Sequence, residues 1–423
     1  MKIKSIFLKL IAVVLILASF AMLFACESAD SEEVDEEEAA EENDNSNNKG
    51  ETNEKPSSEK ATEDQTSSQN GTLETLTGTD SNSDSDSDSD SDSSSDESTP
   101  SVSTGEAVEI PDATVDNPAE SMKTTSGLEY RKYKGEYYVK GVSDSFKGTS
   151  LVIPATYTGD DGKELPVVGV YASAFAGNSS IKKVYFPDSL KKISSQAFKD
   201  AENLEEVYFG RGLTNLEKDA FDGCWNIEKV YIMSLNTWLN VTFANATATP
   251  TCYSKSLYVM RDSGEYELLT DLVIPKDLKE IENYAFYNCA TIERVTFQEG
   301  LETIGAKAFA GCTSLKKIVI PNTVTEIGEA CFNRSSRIAS VEIGSAITSI
   351  NSFTFYFCNG LSLVKYYGTP AAWKQVYSNS TCYLSTEVKY VLCEYTDETG
   401  KTVTEKVDLP KKGEDDPKDL VEK

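Results

Sequence analysis

The sequence predicts a solenoid of stacked 23-residue coils carried at the end of a long acidic tether. Three observations lead there. One apolar pattern returns in phase at a step of 23 between Val167 and Tyr366. The charge sits almost wholly in another stretch: residues 27–125 carry 30 acidic against 4 basic side chains, −26 of the chain's −29. With the three leader lysines set aside, residues 126–423 hold only −6 and can bury a sizeable core. Finally, a short basic and apolar leader opens the chain.

The leader is residues 1–25. Lys2, Lys4 and Lys9 precede a 16-residue apolar run, Leu10–Ala25, and Cys26 follows. Such a run is short of the roughly 20 residues a membrane span needs, and reads as a secretory signal. The end of the run, Leu23-Phe24-Ala25-Cys26, resembles the bacterial lipobox, which is cut before a cysteine that receives a lipid. That resemblance implies lipidation of Cys26 and an extracytoplasmic, membrane-anchored protein exposed at the cell surface. Phe24 is bulkier than the pattern usually has, and an ordinary signal peptide is the alternative. Leu409-Pro410-Lys411-Lys412-Gly413 lacks both the threonine and the apolar tail of a wall-sorting signal.

Residues 26–125 form the expected tether, rich in Ser, Thr, Asp, Glu and Asn, with strict Ser-Asp alternation from Ser83 to Asp92. Low hydrophobicity and high charge cannot offset chain entropy, so the reading is a disordered, extended spacer. Its aspartates lack the Gly-containing loop of an EF-hand.

Each coil begins on an apolar position: Val167, Leu190, Leu213, Leu278, Leu301, Val324 and Ile347. Three residues on stand Val170, Ile193, Leu216, Ile281, Ile304, Ile327 and Ile350. A small residue and a phenylalanine follow, from Ala174-Phe175 through Ala308-Phe309 to Thr354-Phe355. The coil closes on an alternating strand signal such as Leu315-Lys-Lys-Ile318-Val-Ile320. A unit of this size cannot bury its own apolar face and must stack on copies of itself, with its strands forming a parallel sheet. The Ala-Phe segments read as short helical turns.

The pattern divides the chain further. An N-terminal β cap is expected at 126–166, repeats 1–3 at 167–234 and repeats 4–7 at 273–366. Between them the step is 65, and an island at 235–272 holds a short helix near Trp238 and a hairpin. A C-terminal cap at 367–408 and a charged tail at 409–423 complete the order.

With Leu-x-x-Ile, Ala-Phe, Cys and Leu-x-x-Val-x-Ile-Pro nearly intact across Leu301–Pro321, the sequence resembles the BspA-type (Treponema pallidum-type) leucine-rich repeats of bacterial surface proteins. The resemblance implies a leucine-rich repeat solenoid, interruption by islands, and adhesin-like binding of an extracellular protein or glycan.

Chemistry-bearing motifs are few. The chain has no histidine, which removes histidine triads and histidine metal ligands. It has no Gly-x-Ser-x-Gly elbow and no P-loop, and the acidic balance argues against nucleic acid. No catalytic residue, cofactor or metal is expected; a carboxylate-based enzyme and a passive spacer are the competing functions. Cys224, Cys289, Cys312 and Cys358 share one repeat position with Asn178, Ala201 and Ser335, so they read as small buried side chains. Cys382 and Cys393 are the best candidates for a disulfide.

Strand alternation points one row outward: Tyr185, Tyr208, Tyr231, Thr296, Val319, Glu342 and Lys365. Two positions earlier, on the same face, stand Lys183, Glu206, Lys229, Arg294, Lys317, Ser340 and Leu363. The expected ligand-contact face is Tyr185, Tyr208, Tyr231, Lys183, Glu206, Lys229, Arg294, Thr296 and Lys317. Tyrosine is enriched at interfaces, but a tyrosine ladder also stabilises a sheet that binds nothing.

Overall fold

A computed structural model describes residues 109–143, 146–380, 384 and 387–409. Cys26, Cys382, the leader and the tail beyond residue 409 lie outside the described residues, as does the tether as far as residue 108.

The coils stack as the 23-residue step requires. Strands Ser150–Val152, Lys183–Tyr185, Glu206–Phe209, Lys229–Ile232 and Leu257–Met260 pair in parallel, so that Val184, Val207 and Val230 lie in one row. Beyond the island the row continues through Asp271–Val273 and Arg294–Thr296, then Lys317–Ile320, Ser340–Ile343 and Leu363–Tyr366. The Leu-x-x-Ile element forms a second, narrower parallel ribbon. It runs through Lys192–Ile193, Asn215–Leu216 and Thr242–Phe243, and later Glu280–Ile281, Thr303–Ile304 and Glu326–Ile327.

Between the ribbons the Ala-Phe segment makes turns, not the expected helical turn. In each of the seven coils two residues take left-handed backbone, as in Gln196 and Asp200 (φ 60° and 56°) or Lys307 and Gly311 (φ 55° and 76°). The effect is to aim alternate amides at the neighbouring coil. Phe175 N–H donates to the Ala197 carbonyl, Phe198 to Ala220, Phe309 to Cys331 and Phe332 to Thr354. Buried backbone must find partners, and a helix would have spent these donors within its own coil.

The phenylalanines fill the interior as a stacked column. Centroid spacings are 5.0 Å for Phe175–Phe198, 5.3 Å for Phe198–Phe221 and Phe286–Phe309, and 5.7 Å for Phe309–Phe332. In four of the seven coils the shared cysteine position carries a small donor, Cys224, Cys312, Ser335 or Cys358. Cys224 Sγ donates to the Phe198 carbonyl at 3.0 Å and Cys358 to Phe332 at 3.0 Å, while Ser335 Oγ donates to Phe309 at 2.8 Å. Burial pushes the Cys224 and Cys289 thiols up to about 12, so they stay protonated near neutral pH.

The island is one enlarged coil. Ser234 caps helix Leu235–Leu239 by accepting from the Thr237 amide. Thr242–Phe243 joins the narrow ribbon, and Leu257–Met260 joins the broad one at a step of 27 from Val230. The Trp238 indole N–H donates to the Ala285 carbonyl at 2.8 Å, bridging the interrupted phenylalanine column. The expected hairpin of the island is shorter than the run Tyr266–Ile274, which is split. Tyr266–Leu268 pairs antiparallel with Leu257–Met260, whereas Asp271–Val273 already belongs to the next coil.

Antiparallel hairpins close both ends, Leu128–Tyr133 with Glu136–Val142 and Tyr390–Thr396 with Thr402–Asp408. Ahead of the second, helix Pro370–Asn379 is capped by Thr369 and buries Trp373.

Residues 109–125, expected to belong to the disordered tether, instead lie on the solenoid as a strap. Its inward residues alternate, Ala113, Asn117 and Ala119 being buried and Val115 half-buried. The Arg211 guanidinium donates to the Ala113 and Val115 carbonyls at 3.0 and 2.5 Å. Asn117 Nδ2 donates to the Phe186 carbonyl and to Asp188. Asp112 accepts from Asn236, Thr114 donates to Asp262, and Glu109 accepts from the Lys276 amide. The strap thus runs opposite to the direction in which the coils advance.

Candidate functional site: the tyrosine face

Alternation along the strands sets this surface. Val184, Val207 and Val230 point inward and are fully buried, so Tyr185, Tyr208 and Tyr231 point out. Their rings stack nearly parallel, at 4.3 Å and 15° for Tyr185–Tyr208 and 4.2 Å and 8° for Tyr208–Tyr231. The enlarged coil adds a fourth rung, Tyr258, at 5.0 Å from Tyr231. Tyr266, on the antiparallel strand, leans across the row at 4.8 Å from Tyr231 and 5.8 Å from Tyr208. Its hydroxyl lies 3.3 Å from Met233 Sδ, in a small cluster of Met233, Met260, Ala113 and Val115. Strap and face therefore share side chains.

Stacking decides what the face can offer. Ring faces are spent on one another, leaving edges and hydroxyl groups toward a partner.

Polar neighbours pair mostly among themselves. Lys183 lies 2.8 Å from Glu206, which also accepts from the Tyr208 hydroxyl at 2.6 Å. Burial alone would raise the Glu206 carboxyl, but the bonds from Lys183 and Tyr208 outweigh it and hold the group below the usual glutamate value. Burial, then the bond to Glu206, pushes the Tyr208 hydroxyl far above its ordinary range, so it stays a neutral donor.

Of the nine expected contact residues, the structure brings six together: Tyr185, Tyr208, Tyr231, Lys183, Glu206 and Lys229. Arg294, Thr296 and Lys317 lie past the island. There Arg294 pairs with Asp271 at 2.5 Å and Lys317 with Glu342 at 2.5 Å. Tyr258 and Tyr266 are additions to the expected residues. Leu257-Tyr258-Val259 repeats the pattern of Val207-Tyr208-Phe209 and could have disclosed the first; Tyr266 reaches the row only through the hairpin.

Among the described residues, no group of three or more Cys, Asp or Glu is placed to hold a metal ion, and no helix is long and apolar enough to cross a membrane. Cys393 is buried; its expected partner Cys382 is outside the described residues.

The family model described as a BspA type leucine rich repeat region matches in six copies, over residues 168–257 and 264–382. Among solved structures, a leucine-rich repeat protein from Bacteroides ovatus is 21% identical, with a TM-score of 0.35 over 64% of this chain and 78% of that one. The Treponema pallidum leucine-rich repeat protein is 21% identical, with a TM-score of 0.22 over 57% and 81%. A leucine-rich cell surface protein from Faecalibacterium prausnitzii is 17% identical, with a TM-score of 0.23 over 60% and 97%. No curated protein matches the chain. The solenoid, over the matched residues 168–257 and 264–382, is a BspA-type leucine-rich repeat array.

Proposed function

We propose that this chain is a non-catalytic binding protein, held outside the cell by a lipid on Cys26 and adhesin-like in presenting its solenoid to an extracellular partner. The observation that carries the reading is the tyrosine row. Four half-buried rings, fixed by stacking, present edges and hydroxyls with little side-chain entropy left to lose on binding. Tyrosines held in this way suit a protein partner better than a sugar, which needs open ring faces.

The test is a pull-down from host matrix, host cells and neighbouring bacteria, with the wild-type chain and a Tyr185→Ser, Tyr208→Ser, Tyr231→Ser variant. The expected result is a protein captured by the wild type and lost from a variant that still folds. Equal capture by both would overturn the assignment of the face. Silence from all three sources would favour a passive envelope spacer. Lipidation is checked separately, by labelling cells with a fatty-acid analogue and comparing Cys26→Ala.

A further inference from the structure

A second aromatic surface lies on the turns of the last coil. Phe353, Tyr356 and Phe357 are 53%, 48% and 46% exposed, although a five-residue turn has no need of three outward aromatics. Two of them also occupy unfavourable backbone: Phe353 and Phe357 hold φ of 58° and 59°. At the position of Phe357 the preceding coils carry Gly177, Asp200, Gly223, Asn288, Gly311 and Arg334, mostly residues that tolerate this conformation. Exposure and backbone strain both work against folding here, and strained residues cluster where a surface has a use.

The rings are arranged unlike the tyrosine row. Phe353 and Tyr356 meet edge to face at 5.5 Å and 68°, and Tyr356 and Phe357 are tilted at 4.1 Å and 48°, so no two rings lie flat on each other and about half of each side chain faces solvent. One coil back, in the same column as Phe357, the exposed Arg334 holds its guanidinium 5.7 Å from the Phe357 ring. It forms no ion pair with any described carboxylate, Glu329 in its own coil included, whereas fourteen ion pairs form elsewhere among the described residues.

We infer that Phe353, Tyr356, Phe357 and Arg334 form a second binding surface, whose ligand is a sugar bearing a carboxylate. The C–H face of a pyranose ring lies against the solvent-facing half of the three aromatics, and the guanidinium fork takes the carboxylate. Size favours this occupant over a protein. Half-exposed rings of this kind offer about 300 Å² together, well short of the roughly 800 Å² each partner contributes to a standard protein interface. The surface is separate from the tyrosine face, and the inference does not depend on that reading.

The test uses the full chain, titrated with 3′-sialyllactose, lactose and an acidic aromatic peptide by ligand-observed NMR. The expected result is binding of sialyllactose about tenfold tighter than lactose, the gain one charge-assisted pair provides. Arg334→Gln should bring the two sugars level. Phe357→Gly should abolish binding of both while leaving the melting temperature unchanged or raised, because glycine suits the left-handed backbone. A Tyr133→Ser variant, changed at an exposed position of the first hairpin, should bind as the wild type does. Equal affinity for the two sugars, or binding of the peptide alone, would overturn the inference. So would a Phe357→Gly variant that loses stability but keeps the sugar, since the ring would then be structural.

Discussion

The coils before the island and those after it share an interior and differ in their outward row. Inside, Phe198 and Phe221 stack at 5.3 Å and Phe332 and Phe355 at 5.6 Å. The small donor Cys224 in one half is matched by Ser335 and Cys358 in the other. Outside, Tyr185, Tyr208 and Tyr231 stand before the island and Tyr258 on it, and Thr296, Val319, Glu342 and Lys365 after it. Stacking fixes the interior because each coil is the lid of the one before it. The outward row is under no such rule, so it is where one half can acquire a use the other lacks.

The interior should therefore be the costlier part to disturb. Phe309 stacks on both neighbours, and Phe309→Ala should cost about 3–5 kcal/mol in denaturant unfolding. A loss below about 1 kcal/mol would mean that coils do not depend on the column. Cys358→Ala removes a buried donor from the Phe332 carbonyl and should cost about 1–2 kcal/mol. Cys358→Ser should cost less, since Ser335 makes the same bond one coil earlier; the two variants losing equal stability would remove the donor from the account.

The smallest effect belongs to the outward face. Glu206 titrates below its usual value, so its contribution is present above the unfolded glutamate pKa of about 4.3 and is lost as pH falls through the folded value. Glu206→Gln should flatten that acid-side loss by about 1 kcal/mol or less, read from melting curves between pH 6 and pH 3. Glu342, held low despite its burial by Lys317 and Tyr367, supplies the same comparison in the other half.

The interior is legible in the sequence because a step of 23 marks the same positions again and again. Val167 through Ile347, the phenylalanines and the small buried position all follow from that periodicity alone, although its role as a donor does not. The fourth tyrosine is hidden by a change of period, since Tyr258 follows Tyr231 at 27 residues. The strap is hidden for another reason. It is held largely by its own carbonyls and by Asn117, Asp112 and Thr114, and such residues look the same in a loop that touches nothing. The aromatic trio stands in plain view in Phe353-Thr-Phe-Tyr-Phe357, but only backbone angles separate the buried Phe355 from its exposed neighbours.

The strap also sets the point at which a pull on the chain is felt. Glu109 rests beside Lys276, deep along the array, whereas Leu128 begins the first hairpin at its near end. Traction on the polypeptide ahead of Glu109 would meet the strap's bonds one at a time, first at Lys276, then at Asn236, Asp262 and Arg211, next at Asp188, and last at Val152, which Thr125 holds. Peeling in that order releases about 60 Å of slack while every coil stays stacked. Such a zipper yields length before it yields structure, as a shock cord does.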